Sequence, residues 1–304
     1  MTGKMNEMMD LTIFTPTYNR VTELRGLFES IQNSIEYLGD GYSIERLIVD
    51  DGSIVDVLSV VEDFHDVNGL YINFFKKENG GKHTAFNYAI DHAQGRMFVC
   101  IDDDDRLTAE ALKDIFEIER TIKPLKEKMS LGAFVGRVVD EHGEKLGIDL
   151  KRIPLISDTI EIRDKYHFWG EPEVYFTDIL RKYRFDVFEG EKFLTEAYLF
   201  DVMSKHHKFY YTDYPLMVKK YLPGGLTDNQ TLIRIKSPRG TEQYYYQRWG
   251  LCTGVWNRLK AAINCKRFAW WIKQGRRRRK MGIYGSIAFP VSLLMYIKDK
   301  RYAK

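Results

Sequence analysis

The chain has 304 residues, of which 44% are hydrophobic and 29% are charged, and its formal net charge is +3. These values are typical of a globular protein with one large domain or two smaller ones, and they exclude a disordered, collagen-like or polytopic membrane protein. Three scattered cysteines exclude a disulfide framework, and residues 1–10 lack the apolar core of a secretory signal, so we expect a reducing, cytoplasmic location.

The first third of the chain alternates short apolar runs with helical patterns. Strands are predicted at residues 11–14, 44–49, 70–75 and 97–101. Between the first two, apolar residues recur every three or four positions from Leu24 to Leu38, which predicts a helix that ends at Gly39. This alternation predicts an α/β protein with a largely parallel sheet, whose ligands bind beyond the carboxyl ends of the strands.

Polar clusters follow three of the predicted strands, at residues 15–20, 50–53 and 102–105. Each cluster alone is explained by turn chemistry, but together they predict one crevice. The third cluster is four consecutive aspartates, whose mutual repulsion is costly unless a cation neutralises it. Mg²⁺ and Mn²⁺ bind such oxygens together with substrate phosphates, so we expect a metal and diphosphate site here, with a solvated acidic loop as the alternative.

A second phosphate-binding candidate lies before the fourth strand. Gly80 and Gly81 precede a predicted helix, and the backbone amides at its start are predicted to face an anion. Lys82 and His83 follow directly and would add charge or hydrogen bonds to a phosphate; the alternative is an ordinary turn with a solvated lysine. The spacing of a Walker loop or of a dinucleotide fingerprint is missing, which disfavours ATPases and nucleotide-dependent oxidoreductases.

Residues 11–227 resemble glycosyltransferase family 2, whose fold is the GT-A fold of nucleotide-diphospho-sugar transferases. The resemblance rests on three ordered motifs: Thr-Ile-Phe-Thr-Pro-Thr-Tyr-Asn-Arg from Thr12, Ile-Val-Asp-Asp-Gly-Ser from Ile48 and Cys-Ile-Asp-Asp-Asp-Asp from Cys100. It implies a mostly parallel twisted sheet flanked by helices. On this basis residues 1–105 form the nucleotide-sugar-binding half of the domain and residues 106–230 form the acceptor-binding half.

The resemblance also implies how the donor is bound. Thr15, Pro16, Asn19 and Arg20 would frame the nucleoside, and Asp50 would contact the base.

Around the diphosphate, Asp102 and Asp103 would lie near the ribose and phosphate, and Asp104, with Asp102 beside it, would hold Mn²⁺ or Mg²⁺. Many relatives carry an arginine where this chain has a phenylalanine in the following helix, so phosphate contact would pass to Lys82 and His83.

Relatives of this kind invert the anomeric configuration, which requires a base for the incoming hydroxyl. The best match for that base is Glu196, with Glu191 and Glu189 as alternatives; an alanine follows Glu196 where relatives more often have an aspartate. Trp169 and Glu171 resemble part of a loop over the acceptor pocket.

Residues 231–304 are predicted to form a helical, basic, membrane-associating extension. From Arg239 onward there are 16 Lys/Arg and 2 Asp/Glu, a net charge of about +14 against about −11 for the preceding residues. Arg276, Arg277, Arg278, Arg279 and Lys280 lead into 17 uncharged residues, 281–297. Because this run contains Gly and Pro and is short for a membrane span, we expect peripheral attachment to the anionic inner face of the cell membrane. A buried terminal helix is the alternative; nucleic acid is not an expected partner, since no recognition fold accompanies the arginines.

Together these features predict a metal-dependent inverting glycosyltransferase. It would move a sugar from a nucleotide-diphospho-sugar, by default a UDP-sugar, to a hydroxyl of a glycan or lipid-linked acceptor in surface polysaccharide synthesis. The alternatives are a sugar nucleotidyltransferase of related fold and a noncatalytic membrane-bound scaffold. The sequence leaves open the sugar, the linkage and the oligomeric state.

Overall fold

A computed structural model describes residues 8–64, 70–168, 172–219, 230–275 and 279–302. The first part contains β1 (Met9–Thr17), α1 (Val21–Leu38), β2 (Ile44–Asp50), α2 (Leu58–Asp63), β3 (Leu70–Lys76), α3 (Lys82–His92) and β4 (Gly95–Cys100). The four strands pair in parallel in the order β3-β2-β1-β4, as the alternating pattern predicts. Their carboxyl ends therefore share one edge of the sheet.

The first strand runs further than the sequence predicts. Pro16 lies inside β1 and is in register with Val49 of β2. The ladder to β4 ends at Phe14, whose carbonyl accepts the N–H of Ile101. The backbone N–H and C=O groups of alternate residues in a strand point toward the same neighbouring strand. Because those of Phe14 point toward β4, the ring nitrogen of Pro16 also points toward β4, where the ladder has ended and no N–H donor is needed. A proline can therefore occupy this position without breaking the strand.

Helix α1 covers one face of this sheet with the predicted apolar stripe. Leu24, Leu27, Phe28 and Ile31 are fully buried, which stabilises the fold by roughly 1.5–3 kcal/mol for each side chain. The helix ends at Gly39, whose positive φ of 78° is a backbone conformation that glycine adopts without strain.

The second part contains β5 (Arg106–Leu107), α4 (Ala111–Lys126), β6 (Leu131–Val139), β7 (Leu155–Ser157), α5 (Thr159–Lys165), β8 (Glu173–Phe176), α6 (Thr177–Leu180), α7 (Ala197–Met203) and β9 (Lys208–Val218). Strand β8 is antiparallel to both β4 and β6 and joins the two parts into one sheet, which continues as β4-β8-β6-β9-β5 with β7 on β9. The α/β prediction is confirmed: the sheet is parallel in its first part and mixed beyond β4. The boundary predicted at residue 105 lies within this continuous sheet.

The remaining elements are helices: α8 (Gln230–Lys236), α9 (Pro238–Leu251), α10 (Val255–Ala269) and α11 (Gly282–Tyr302). Aromatic and small side chains at the interfaces of α9, α10 and α11 form a separate cluster that includes Ala262, Cys265 and Ala288. Within the described part of the chain, none of the helices combines the length and the apolar character needed to cross a bilayer.

Candidate active site

The first two polar clusters are joined at the carboxyl edge of the sheet. Asn19, held at a φ of 57°, donates its backbone N–H to the Ser53 hydroxyl at 2.8 Å and accepts the Ile54 N–H on its side-chain oxygen at 2.9 Å. Asp50 is buried, accepts the N–H of Ser53 at 2.8 Å and lies 3.4 Å from the Lys76 ammonium. The clusters after β1 and β2 therefore form one connected surface.

Asp51 binds the two glycines that precede α3. Its carboxylate accepts the backbone N–H of Gly80 at 3.0 Å and of Gly81 at 2.7 Å, and the Lys77 ammonium lies 2.6 Å away. These amides, which the sequence predicts to face a bound anion, are thus already paired with a carboxylate of the protein itself. Sequence reasoning did not assign Asp51 a role of its own.

Two side chains of the first cluster, Arg20 and Thr17, join it to the aspartate run through three hydrogen bonds. The Arg20 guanidinium donates to Asp103 at 3.0 Å and to Asp104 at 2.5 Å, and the Thr17 hydroxyl donates to Asp103 at 2.9 Å. Burial raises the pKa of Asp103 to about 6, against the opposing effects of Arg20 and Thr17. The structure therefore brings the first and third polar clusters together, as the sheet topology predicts.

The other two aspartates of the run are also compensated by lysines. Burial raises the pKa of Asp105 to about 7, and the Lys219 ammonium, 3.7 Å away, opposes that rise. Asp102 lies 2.5 Å from the Lys82 ammonium. Although burial opposes its ionisation, this ammonium lowers the pKa of Asp102. Three cations of the protein itself, Arg20, Lys82 and Lys219, thus balance much of the negative charge.

Lys82 also reaches the predicted catalytic base. Its ammonium lies 2.5 Å from the Glu196 carboxylate and 2.5 Å from that of Asp102, so one lysine bridges the two. Burial opposes its charged form, but the two carboxylates raise the pKa of Lys82 well above its usual value. Glu196 is the residue before α7, and Asp102 follows β4. Residues almost a hundred positions apart therefore meet at one point.

A cavity of about 360 Å³ extends from this point. Its polar lining includes Glu173 and Tyr175 of β8, and its walls include Phe168, Phe200 and Tyr211. Burial, and then the charge of Glu196, raise the pKa of Glu173 to about 8. The hydroxyl of Tyr175 is buried and has no hydrogen-bond partner among the described residues. A lining that combines aromatic rings with polar groups is suited to a ring that carries hydroxyl groups.

Comparison with known proteins identifies the family. Residues 12–189, more than half of the chain, match the family described as Glycosyl transferase family 2. The chain belongs to this family. The resemblance seen in the three sequence motifs is thereby confirmed.

Among curated family 2 relatives, GalNAc(5)-diNAcBac-PP-undecaprenol beta-1,3-glucosyltransferase of Campylobacter jejuni is 31% identical over 112 residues, which are 36% of this chain and 34% of that protein. Poly(ribitol-phosphate) beta-N-acetylglucosaminyltransferase TarS of Staphylococcus aureus is 27% identical over 107 residues, which are 35% of this chain and 18% of TarS. The matches thus span about a third or less of the length of these relatives.

Solved structures show the same fold. The crystal structure of S. aureus TarS 1-349 has a TM-score of 0.59 at 14% identity and covers 95% of this chain and 80% of that one. A mannosyltransferase of Pyrobaculum calidifontis, in complex with GDP-Man and Mn²⁺, has a TM-score of 0.52 at 16% identity and covers 98% of this chain and 81% of that one. The predicted GT-A fold is confirmed.

Two predicted donor-binding residues of this family 2 protein, His83 and Thr15, are buried and do not line the cavity. The His83 ring is T-shaped against that of Phe185, it does not line the cavity, and its buried Nδ1 has no partner among the described residues. Burial lowers the pKa of His83 to about 4, so its imidazole is neutral. Thr15 is likewise buried, and its hydroxyl has no partner in the described part of the chain. Their roles toward the donor stay predictions.

The structure separates the three candidates for the family 2 base. Glu196 lines the cavity. Glu191 is buried and accepts the backbone N–H groups of Arg239 and Gly240, each at 2.8 Å, which ties it to the start of α9. Glu189 is exposed to solvent. Of the three, only Glu196 lines the cavity, and its role as the base stays a prediction.

The remaining predicted residues lie at the edges of what the structure describes. Trp169 and Glu171, predicted for the acceptor, lie outside the described residues, as do Arg276, Arg277 and Arg278. Lys280 is exposed.

Arg279 is described and is paired within the protein. Its guanidinium binds both oxygens of Glu242, at 2.7 and 2.8 Å, and lies over the ring of Tyr246. Its predicted contact with the membrane stays a prediction.

The aspartate run has two carboxylates that a divalent cation could reach. The side chains of Asp102 and Asp104 are 38% and 41% exposed. Among the described residues, no group of three or more His, Cys, Asp or Glu side chains is arranged to hold a metal ion. Mg²⁺ and Mn²⁺ commonly use one or two carboxylates and complete their coordination with substrate phosphates and water. The two aspartates therefore fit a metal that binds together with the donor.

Proposed function

We propose that this family 2 glycosyltransferase is a metal-dependent inverting enzyme. It moves a sugar from a UDP-sugar to a hydroxyl of a glycan or lipid-linked acceptor in surface polysaccharide synthesis. The observation that carries the proposal is the bridge formed by Lys82 between Asp102, on the donor side, and Glu196, the proposed base. A group-transfer enzyme needs its leaving-group site and its base on opposite sides of one reacting atom, and this cavity joins the two.

The donor would occupy the connected surface at the carboxyl ends of β1, β2 and β4. Its proposed binding residues are Thr15, Pro16, Asn19, Arg20, Asp50, Lys82, His83, Asp102 and Asp103. A UDP-sugar is supported by the likeness to TarS 1-349, which has also been solved in complex with UDP-GlcNAc, at a TM-score of 0.58 and 13% identity.

Asp104 and Asp102 would hold Mn²⁺ or Mg²⁺, which when bound neutralises charge on the departing diphosphate. Arg20 and Lys82 already lie beside these carboxylates and would contribute positive charge to the same oxygens. A diphosphate carries more charge than a single carboxylate, so it would compete with Glu196 for the Lys82 ammonium.

Glu196 then acts as the general base. Its carboxylate takes the proton of the acceptor hydroxyl, and the hydroxyl oxygen forms a bond to the anomeric carbon. The bond from that carbon to the diphosphate oxygen breaks on the opposite side, and the nucleoside diphosphate leaves with the electron pair. One displacement of this kind inverts the anomeric configuration.

The acceptor would enter from the cavity side, where Trp169 and Glu171 are the proposed contacts. A lipid-linked acceptor is supported by the name of the Campylobacter relative, an undecaprenol-linked glucosyltransferase, and a polymeric one by the name of TarS. Such acceptors lie at a membrane, and we propose that the basic extension, with Arg276–Lys280, attaches the protein peripherally to the cytoplasmic face.

Thermal unfolding with a panel of nucleotide sugars tests this proposal. UDP-GlcNAc, UDP-glucose and GDP-mannose are compared with and without Mn²⁺, and with Mn²⁺ alone as the control. We expect at least one UDP-sugar to raise the unfolding temperature only when Mn²⁺ is present; a ligand at about 100 times its Kd adds about 2.7 kcal/mol. Equal stabilisation without metal, or none by any donor, contradicts it. Release of pyrophosphate from a nucleoside triphosphate would instead indicate a nucleotidyltransferase.

A further inference from the structure

Helix α11 exposes an apolar surface along one side. Ile283, Ile287, Val291, Leu294 and Ile297 are all exposed, and their spacings of three and four residues place them on one face of the helix. The exposure reaches 71% for Ile283 and 69% for Leu294. We call these five side chains the apolar face of α11.

The opposite side of α11 is packed against the rest of the chain and carries small, polar and aromatic residues; the ring of Tyr284 contacts Trp249, and the ring of Tyr296 contacts Trp270. Ala288 and Ser292 are fully buried, and Asp299 is almost so. The Asp299 carboxylate binds the Arg267 guanidinium of α10 through two contacts of 2.5 and 2.6 Å. A surface helix of a globular protein turns its apolar stripe toward the core and its polar groups toward water, whereas α11 also has a row of apolar side chains on the side that faces water. The apolar face of α11 is therefore arranged for an environment other than water.

The charged residues around the apolar face of α11 indicate which kind of environment this face contacts. Lys280 is exposed just before the helix, and Arg301 is exposed near its end, seven residues after Leu294 and so on the same face. The chain from Arg239 onward has a net charge of about +14. An apolar strip with cations at both ends matches the interface of an anionic bilayer, where acyl chains meet negative headgroups.

We propose that α11 lies in the surface of an anionic membrane with its apolar face among the acyl chains and with Lys280 and Arg301 at the headgroups. This proposal deepens the membrane attachment proposed above, because it assigns the attachment to a helix face and not to the arginine run alone. It does not depend on the donor, the acceptor or the base.

Vesicle binding of the full chain tests the proposal without any sugar nucleotide, so its outcome is separate from that of glycosyl transfer. Wild-type protein is floated with phosphatidylcholine vesicles that contain or lack phosphatidylglycerol. The double variant Ile287→Glu/Leu294→Glu is compared with Val187→Glu, which places the same charge at an exposed apolar residue outside α11. Circular dichroism and thermal unfolding establish that each variant is folded.

We expect the wild type and Val187→Glu to bind the anionic vesicles, and the double variant to lose at least about tenfold in partitioning. An environment-sensitive fluorophore on Leu294→Cys should shift to shorter wavelength with anionic vesicles, whereas the same label on Val187→Cys should not. Equal binding by the double variant, or an unchanged spectrum at position 294, overturns the proposal. So does a wild-type oligomer that dissociates in the double variant, because a second copy would then cover the face.

Discussion

At the scale of single residues, the contact that matters most is the one between Lys82 and Glu196. The Lys82 ammonium lies 2.5 Å from the Glu196 carboxylate, so the proposed base is held in an ion pair in this structure. Asp102 shares the same ammonium at the same distance. We expect a donor diphosphate that draws Lys82 toward itself to free the Glu196 carboxylate for contact with an acceptor hydroxyl.

Replacing the proposed base should separate catalysis from donor binding. We expect Glu196→Gln to lower the transfer rate by about 10²–10⁴-fold, because the amide cannot accept the hydroxyl proton. Binding of UDP-sugar with Mn²⁺, measured by calorimetry, should be retained. The matched control is Glu189→Gln, at an exposed glutamate seven residues earlier, which should keep wild-type turnover. Full activity of Glu196→Gln would show that Glu196 is not the general base.

The neutral, buried imidazole of His83 should make stability depend on pH. Burial lowers its pKa from 6.5 to about 4, so between these values the unfolded chain binds a proton that the folded chain does not. The free energy of unfolding should therefore increase as the pH rises through this window. It should decrease again as the pH falls through it. Between about pH 7 and about pH 5, the wild type should lose about 2 kcal/mol more than His83→Gln in urea unfolding.

The control for this pH series is His142→Gln, at an exposed histidine in the turn after β6. It should follow the wild-type curve. Parallel curves for the wild type and His83→Gln would show that the buried imidazole contributes nothing to the pH dependence.

Sequence reasoning reached part of this site and not the rest. Lys82, Asp102 and Glu196 stand in short local patterns, and the structure brings all three together. Glu173 lies in the stretch that resembles the acceptor loop, but neither its own position nor that of Lys219 is distinctive in the sequence: each becomes so only because the fold places it beside Glu196 and other charged groups from distant segments. Such a property depends on the tertiary structure and cannot be obtained from neighbouring residues in the chain.

At the scale of elements, two loops of the site pack against each other without space between them. Gly81, before α3, has a φ of 91°, and a Cβ placed on it would lie 1.9 Å from the backbone oxygen of Lys192. The segment that carries Lys82 and the segment that leads to Glu196 therefore meet through their backbones. Only glycine satisfies both the conformation and the close approach.

A pair of alanine substitutions can measure this contact. Gly39→Ala, at a φ of 78° with nothing within 4 Å, should lower the free energy of unfolding by about 1–2 kcal/mol through backbone conformation alone. Gly81→Ala should cost a further 1–3 kcal/mol or so, because the backbone of Lys192 must move. Urea unfolding of both variants gives the difference. Equal losses would mean that the two loops are not in close contact.

The elements themselves were predictable to different degrees. The apolar spacing from Leu24 to Leu38 predicted α1 and its end at Gly39, because one helix face is buried along its whole length. Strand β8 has four residues, Glu173–Phe176, and its position depends on antiparallel pairing with β4 and β6. A short strand between two partners that are distant in the sequence has no period of its own from which to predict it.

At the scale of the whole molecule, Arg248 joins the helical extension to α5 and α7. Its guanidinium binds Asp164 of α5 and Asp201 of α7, and all three side chains are largely buried. Gln247, its neighbour in α9, donates to the backbone oxygen of Tyr198 in α7 at 2.8 Å. The extension is therefore packed against the helix that follows Glu196.

Removal of the positive charge of Arg248 should destabilise the whole protein. We expect Arg248→Met to lower the free energy of unfolding by about 3 kcal/mol, because Asp164 and Asp201 lose a buried cation. Arg258→Met, at an exposed arginine of α10, should change it by no more than about 0.5 kcal/mol. Chemical denaturation followed by circular dichroism provides the measurement. A loss of less than 1 kcal/mol or so for Arg248→Met would mean that the ion pairs of Arg248 with the two aspartates contribute little to stability.

The link between Glu191 and the first residues of α9 has a practical consequence for hybrid enzymes. Its carboxylate accepts two backbone N–H groups, from Arg239 and Gly240, and it stands five residues before Glu196. If the carboxyl-terminal helices were exchanged with those of a homologue at residue 231, the two sides of this contact would come from different parents. A crossover placed before Glu189 would instead take both sides of this contact from one parent, together with the segment that leads to Glu196.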